Sequence, residues 1–494
     1  MQKFLLSKYV VVLGLAFLLP VATIQAFEVT KLSSYAEECG GQESCAEIAA
    51  YDAASSRVFV TNAAENELRI LDVIDGQLIE VSAIDLSLYG GGPNSVAVSS
   101  GIVAVAVEAS DKQANGTVEL FMTDGTHIDS VEVGALPDML TFTPDGKFLL
   151  VANEGEPNAD YSVDPEGSVS VIDTASWTAR TAGFNSFTIK DLKNVRIFGP
   201  GASIAQDLEP EYVTVAEDSK TAWISLQENN AIARLDIETA TITAIYGLGY
   251  KKHTQQKNAF DASNKDNGIN IQPWPAYGMY QPDALAAYQR GNATFIISAN
   301  EGDARDYDGF SEEARVKDLT LDPDVFPGAE VLQKDENLGR LKTTLAHGDI
   351  DGDGDFDQIF AYGGRSFSIW NANGNQVYDS GSTFERSLAQ YQQQGMDVWD
   401  DSRSDDKGPE PESVTVGKLG DSSYAFIGLE RTSGIFVYQL DNPYKPAPAG
   451  FINTKQQGDI GPEGLVFIER DSNSSWLLVT NEISNTISLY EIKP

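Results

Sequence analysis

The sequence predicts an all-β fold, a single β-propeller, with eight blades favoured and seven allowed. An N-terminal strand pairing with the last blade is expected to close it. Three observations predict this. A proline followed by an acid or amide recurs at Pro93-Asn94, Pro137-Asp138, Pro210-Glu211, Pro282-Asp283, Pro411-Glu412 and Pro462-Glu463. Each pair opens a short apolar run, a turn, and a second apolar run ending in glutamate 14 to 19 residues on, at Glu108, Glu154, Glu228, Glu301, Glu430 and Glu482. The runs are of strand length and are bounded by turn residues such as Pro144-Asp145-Gly146, while long amphipathic helices are lacking.

The units follow in order. The first begins near Glu47 (EIAAYD, RVFVTNA, NELRILDV), and the next four near Asn94, Asp138, Glu211 and Asp283. A sixth is centred on DQIFAYGG and FSIWNANG but lacks the proline-acid start, which is why seven and eight blades both fit. The last two begin at Glu412 and Glu463. The final unit supplies three strands, GLVFIE, WLLVTNE and TISLYEI. The segment 27–35 is a strand without a blade of its own, and pairing the two would remove an exposed edge. Residues 1–26 read as a signal peptide: Lys3 and Lys8, an apolar stretch from Tyr9 to Leu19, and a small-residue cleavage site at Ala26. Residues 27–494 are then one propeller domain, interrupted by polar insertions near 155–167, 183–207, 250–281, 303–345 and 385–409.

Composition narrows the function. There are 73 Asp and Glu against 34 Lys and Arg, a net charge of −39. Nucleic-acid binding needs clustered bases and is excluded as an expectation. No apolar segment of membrane-spanning length is present. The two cysteines, Cys39 and Cys45, are expected to form a small disulfide loop in an exported chain. His127, His253 and His347 are scattered, which disfavours zinc and points to oxygen-held calcium or magnesium.

Two constellations carry chemistry. The start of one strand and the end of its hairpin partner lie at the same sheet edge. A radial array of hairpins therefore gathers the acids at one mouth: Glu47, Asp138, Glu211, Asp283, Glu412 and Glu463 from strand starts, with Glu108, Glu154, Glu228, Glu301, Glu430 and Glu482 from strand ends. Converging carboxylates bind cations, share protons or pair with arginine. Two loops extend this rim, one from Glu154 to Glu166 and one through Glu301, Asp303, Arg305 and Asp308, both beginning Ala-Asn-Glu-Gly. The second constellation is Asp349-Ile-Asp351-Gly-Asp353-Gly-Asp355-Phe-Asp357. Alternate carboxylates around a glycine suit one calcium, whose role would be to tie down a hairpin. The twelfth position is Phe360 rather than glutamate, so this is not an EF-hand, and a strand follows directly.

The segments ANEGEPNADY, EGSVSVID, ISANEGDARDYDGF, GDIDGDGDFDQIFAYGGRSFSIW, GPEPESVTVG and GPEGLVF together resemble the choice-of-anchor I proteins. Animal members of that family are mesenchyme-specific cell surface glycoproteins. The resemblance spans most of the chain. It implies an extracellular or cell-surface propeller, an association with calcium mineral in animal members, and an alkaline-phosphatase-like label in bacterial ones. It carries over no catalytic residue. No sorting tail follows Pro494, so a secreted or periplasmic protein is expected.

The expected function is an exported calcium-binding propeller whose acidic face binds cations or a polar ligand. The alternative is a calcium-dependent phosphoesterase in which rim carboxylates hold metals and activate water on a phosphate ester, with Arg305 and Arg365 receiving the phosphate. No serine elbow, P-loop, HExxH or dinucleotide glycine fingerprint is present, so no catalytic residue is assigned.

Overall fold

In the computed structural model, residues 28–37, 39, 44–470 and 474–493 are described. The expected signal peptide, 1–26, lies outside them. Seven four-stranded antiparallel sheets form the wheel: blade one (49–85), two (92–135), three (137–183), four (213–247), five (285–379), six (411–453) and seven (462–493). The innermost strands neighbour one another in cyclic order, with blade seven returning to blade one. Glu28–Ala36 pairs antiparallel with Thr486–Lys493, from Glu28 opposite Lys493 to Ala36 opposite Thr486. The expected closure is therefore present. Cys39 and Cys45 are disulfide-bonded, and the Cys45 N–H donates to Asn485 Oδ1 at 3.1 Å. The bridge thus lies where the closing strand hands over to blade one.

Strand character follows burial. Second strands such as Arg57–Asn62 (RVFVTN) are buried almost throughout because blades cover both their faces, whereas the outer strand Gln77–Asp85 is mostly exposed. The core is divided among blade interfaces. Phe59, Ile70, Val105 and Phe121 fill the space between blades one and two. Leu150, Val171, Ile224 and Leu235 fill that between three and four. Phe426, Val437, Leu477 and Tyr490 do so between six and seven.

The expectation of eight blades gives way to the seven that the sequence also allowed. The sixth unit is not a blade. Ser366–Asn371 is the third strand of blade five, pairing with Ala293–Asn300. Phe360–Ala361 leaves the wheel and pairs parallel with Tyr277–Met279. The cause is a long insertion, 301–365, between the second and third strands of blade five. With residues 250–281 it builds a satellite whose own core holds Phe260, Trp274, Val316, Leu338, Leu341 and Ile359. The insertion leaves and re-enters the blade back to back. Gly302 (φ +96°) stands so close to Gly363 that a Cβ on it would lie 2.1 Å from the Gly363 nitrogen. One helix, Thr383–Gln393, leads into the 385–409 insertion and buries Phe384 and Leu388 between blades five and six.

The proline-acid pairs mark a local irregularity. Strand register shifts just after Pro93, Pro137, Pro411 and Pro462. Proline has no N–H to give the ladder and suits such a bulge, which re-aims the side chain that follows. Pro137 faces Asn153, Pro411 faces Leu429, and Pro462 faces Asn481, so the acid after each proline and the glutamate ending the next strand share one edge.

Deleting residues 28–36 should uncover the edge of Thr486–Lys493 and cost about 3 kcal/mol or more. Calorimetric melting should show a lower transition temperature and greater aggregation. An unchanged melt would contradict closure by this strand.

Candidate metal centre

The rim is built as two circles of side chains. Glu47, Asn94, Asp138, Glu211, Asp283, Glu412 and Glu463 each come from the inner edge of a different blade. All but Glu211 line an axial cavity of about 230 Å³, to which blade four contributes Tyr212. Glu108, Glu154, Glu228, Glu301, Glu430 and Glu482 end the second strands at the same mouth; blade one has Ala63 there. The structure therefore brings together the rim residues expected from sequence.

These carboxyls press on one another. Oxygens of Asp283, Glu301 and Glu412 lie within 4.8 Å of each other, as do those of Glu301, Glu410 and Glu430. Burial, then the neighbouring Asp303, pushes Glu228 up to about 8. Burial, then Glu482, pushes Glu47 up to about 8. Asp138 rises to about 7 by burial and then by Glu156 and Glu108, and Glu430 to about 7 chiefly by burial. Glu154, Glu211, Asp283, Glu412 and Glu463 are all held well above the ordinary range, by burial first and by their rim neighbours second. Among the described residues no donor reaches Oε2 of Glu211, Glu228, Glu412 or Glu463, although all four atoms are buried. Such a group needs a proton or a cation.

Built-in cations gather in one sector, while on blade two Lys112 Nζ pairs with Glu108 at 3.1 Å. Lys407 Nζ lies 2.5 Å from Glu301 Oε1, 3.7 Å from Asp303 and 4.0 Å from Glu410. Arg403 and Arg431 both pair with the fully buried Glu410, and Arg431 also reaches Glu430 at 2.9 Å. Gln227 Nε2 donates to Glu301 Oε2 at 3.1 Å. Lys407 and Glu410 escaped the sequence reading. Their signal was the segment Lys407-Gly-Pro-Glu410-Pro-Glu412, from which only the last acid was taken.

The two arginines expected to receive phosphate do not face the cavity. Arg305 is 2 % exposed, pairs with Asp207 and with Glu209 at 2.8 Å, and lies over the Phe198 ring. Arg365, 3 % exposed, pairs with Glu385 at 2.9 Å and donates to the carbonyls of Asp261, Ser404 and Asp406. Both anchor insertions, because a buried guanidinium takes the nearest carboxylate and carbonyls. The two Ala-Asn-Glu-Gly loops pack against each other: Tyr307 Oη donates to Glu156 Oε1 at 2.8 Å, and Gly309 N–H donates to the Ala159 carbonyl. Asp303 stands more exposed at the lip.

The aspartate loop belongs to the satellite rather than to a blade hairpin. Its five aspartates fall into two adjoining groups. Asp349, Asp351 and Asp353 share one cluster, while Asp355 and Asp357 join Asp322. Phe356 bridges to Leu321, and that pairing brings Asp322 in from the 303–345 insertion, a contact invisible in local spacing. Asp349 accepts from the N–H groups of Gly352 and Gly354, and Asp357 from Ile350. Mutual repulsion, led by Asp353, raises the Asp351 carboxyl, while Asp355 is raised by desolvation first and Asp353 second.

The Choice-of-anchor I domain matches residues 47–443, the greater part of the wheel. The chain belongs to the choice-of-anchor I family. Among curated relatives, Gigasin-3a of Magallana gigas is 28 % identical over 191 residues, 33 % of this chain and 67 % of that protein. The mesenchyme-specific cell surface glycoprotein of Strongylocentrotus purpuratus is 25 % identical over 332 residues, 59 % of this chain but 41 % of that protein. Of solved structures, hydrazine synthase of Kuenenia stuttgartiensis aligns over 90 % of this chain and 95 % of its own at 12 % identity, with a TM-score of 0.49. The WD40 domain of Toxoplasma gondii coronin aligns over 95 % and 88 % at 11 % identity, with a TM-score of 0.44. The propeller assignment rests on the strand pairing described above. No helix among the described residues is long and apolar enough to cross a membrane.

A pH dependence follows for this family member. Rim carboxyls titrating near 7 to 8 when folded, but in the ordinary carboxylate range when unfolded, hold extra protons in the native state across that window. Unfolding then releases protons, so stability from these groups is full below the ordinary carboxylate range and falls as pH rises from there through about 8. Metal-free protein should melt several degrees lower at about pH 8.5 than at about pH 6, and calcium should flatten the difference. A melt that rises with pH in chelator would refute the buried acidic rim.

Proposed function

We propose that this chain is an exported calcium-binding β-propeller whose acidic axial mouth holds divalent cations or a polar ligand through them. The observation carrying this reading is the set of buried carboxylate oxygens at the mouth that no donor among the described residues reaches, beside clusters whose oxygens lie within 4.8 Å of one another. The donors are hard oxygens. Among the described residues the three histidines sit elsewhere: His127 against Glu119, His253 buried against the Asn258 carbonyl, and His347 beside Tyr250. That donor set favours calcium over zinc. The aspartate loop is read as a second, structural cation position that fastens the satellite. A secreted or periplasmic location is supported by the disulfide and by a relative named as a cell surface glycoprotein.

The phosphoesterase reading is second, and one observation favours it: Lys407 brings a positive charge beside the Asp283–Glu301–Glu412 cluster. A metal held there would polarise a phosphate oxygen, with Lys407 in place to receive the anion. Assay against a phosphomonoester and a phosphodiester, with calcium and after chelation, tests it. No turnover in either condition removes it.

Calorimetric titration of chelated protein with calcium tests the main reading. More than one class of site is expected, and absence of binding would end it. Replacing Asp351 and Asp353 by Ala should lower the melting temperature in calcium by several degrees and leave it nearly unchanged in chelator. Equal losses in both conditions would place no metal in the loop.

A further inference from the structure

We infer that Lys407 is a tethered counter-ion occupying a divalent-cation position of the axial mouth, and that it sets how tightly the mouth takes up such a cation. This rests on the cation-binding reading of the rim and deepens it. Glu301 belongs to both tight clusters, with Asp283 and Glu412 on one side and with Glu410 and Glu430 on the other. It is the residue that Lys407 neutralises, at 2.5 Å. A cation entering the Asp283–Glu301–Glu412 cluster must therefore share or take Glu301 from the lysine.

Two observations point to a cation here beyond the carboxylates themselves. A protein ammonium already sits against the shared Glu301, with Asp303 and Glu410 beside it. Next along the rim, Glu228 is 5 % exposed, yet among the described residues no donor reaches its Oε2. The built-in cations thus leave this part of the mouth under-neutralised. The manner of attachment also matters. Arg403 and Arg431 converge on the fully buried Glu410. Lys407 reaches Glu301 on a flexible four-carbon stem from a loop insertion, and its compact ammonium retains its donors when it swings away. It is the displaceable member of the three.

The test uses the full chain with Asp349, Asp353, Asp355 and Asp357 changed to Asn, so that calcium heat reports the mouth. Lys407→Met should bind calcium at least tenfold more tightly than this parent, or gain a site the parent lacks. Lys407→Arg, which keeps the charge, should behave as the parent. Equal or weaker affinity in Lys407→Met, with binding present in the parent, overturns the role of Lys407 and leaves the cation reading standing. No binding in parent or in Lys407→Met overturns the cation reading itself, and this inference with it. A measurement on the unmodified protein guards against a misfolded variant. Acetylation of Lys407, followed by mass spectrometry, should rise when calcium replaces chelator; an unchanged rate overturns displacement.

Discussion

Repulsion among carboxylates at the axis is the constraint around which the rest of the molecule is arranged. Two ionised groups 4.8 Å apart repel by about 3–4 kcal/mol at an effective dielectric of about 20. Several such pairs would rival the whole stability of an ordinary domain. Strand starts alone nevertheless direct an acid from six of the seven blades to this place. Each is aimed by a strand start, and in several blades by a bulge after proline. Hydrophobic packing between blades overrides the repulsion, and protons or cations relieve it.

The relief is uneven. Blades five and six meet the acids with Lys407, Arg403 and Arg431, all drawn from the segment 401–431. Among the described residues no basic side chain forms an ion pair with Glu154, Glu211 or Glu228 of blades three and four, and Arg305 pairs instead with Asp207 and Glu209 behind the rim. Charge compensation is therefore supplied by the chain beside blades five and six and at Glu108, and left to protons or to a guest at blades three and four. The same logic recurs in miniature on the satellite. There Asp322 joins Asp355 and Asp357, beside the group formed by Asp349, Asp351 and Asp353.

Insertions explain the departures from the repeat. A chain that leaves blade five at Gly302 and returns at Gly363 must bury what it carries, and it does so in a second core around Trp274 and Leu341. DQIFAYGG looked like a blade because its apolar run and flanking turns are those of a strand. It lies in the satellite, where it pairs parallel to Tyr277–Met279 and contributes Ile359 to the core. Arg305 and Arg365 looked available because sequence spacing cannot say which side of a loop faces water.

The sequence by itself determined the strand-turn-strand repeat, the closing strand and the convergence of acids on one mouth. These follow from local alternation and from the two-residue period of strands, which fix the edge that each side chain reaches. Tertiary structure alone decided the blade count, the satellite, the partners of the arginines and the arrival of Lys407, Glu410 and Asp322. Those depend on contacts between segments far apart in the chain, whose pairing is settled by burial and charge compensation rather than by spacing.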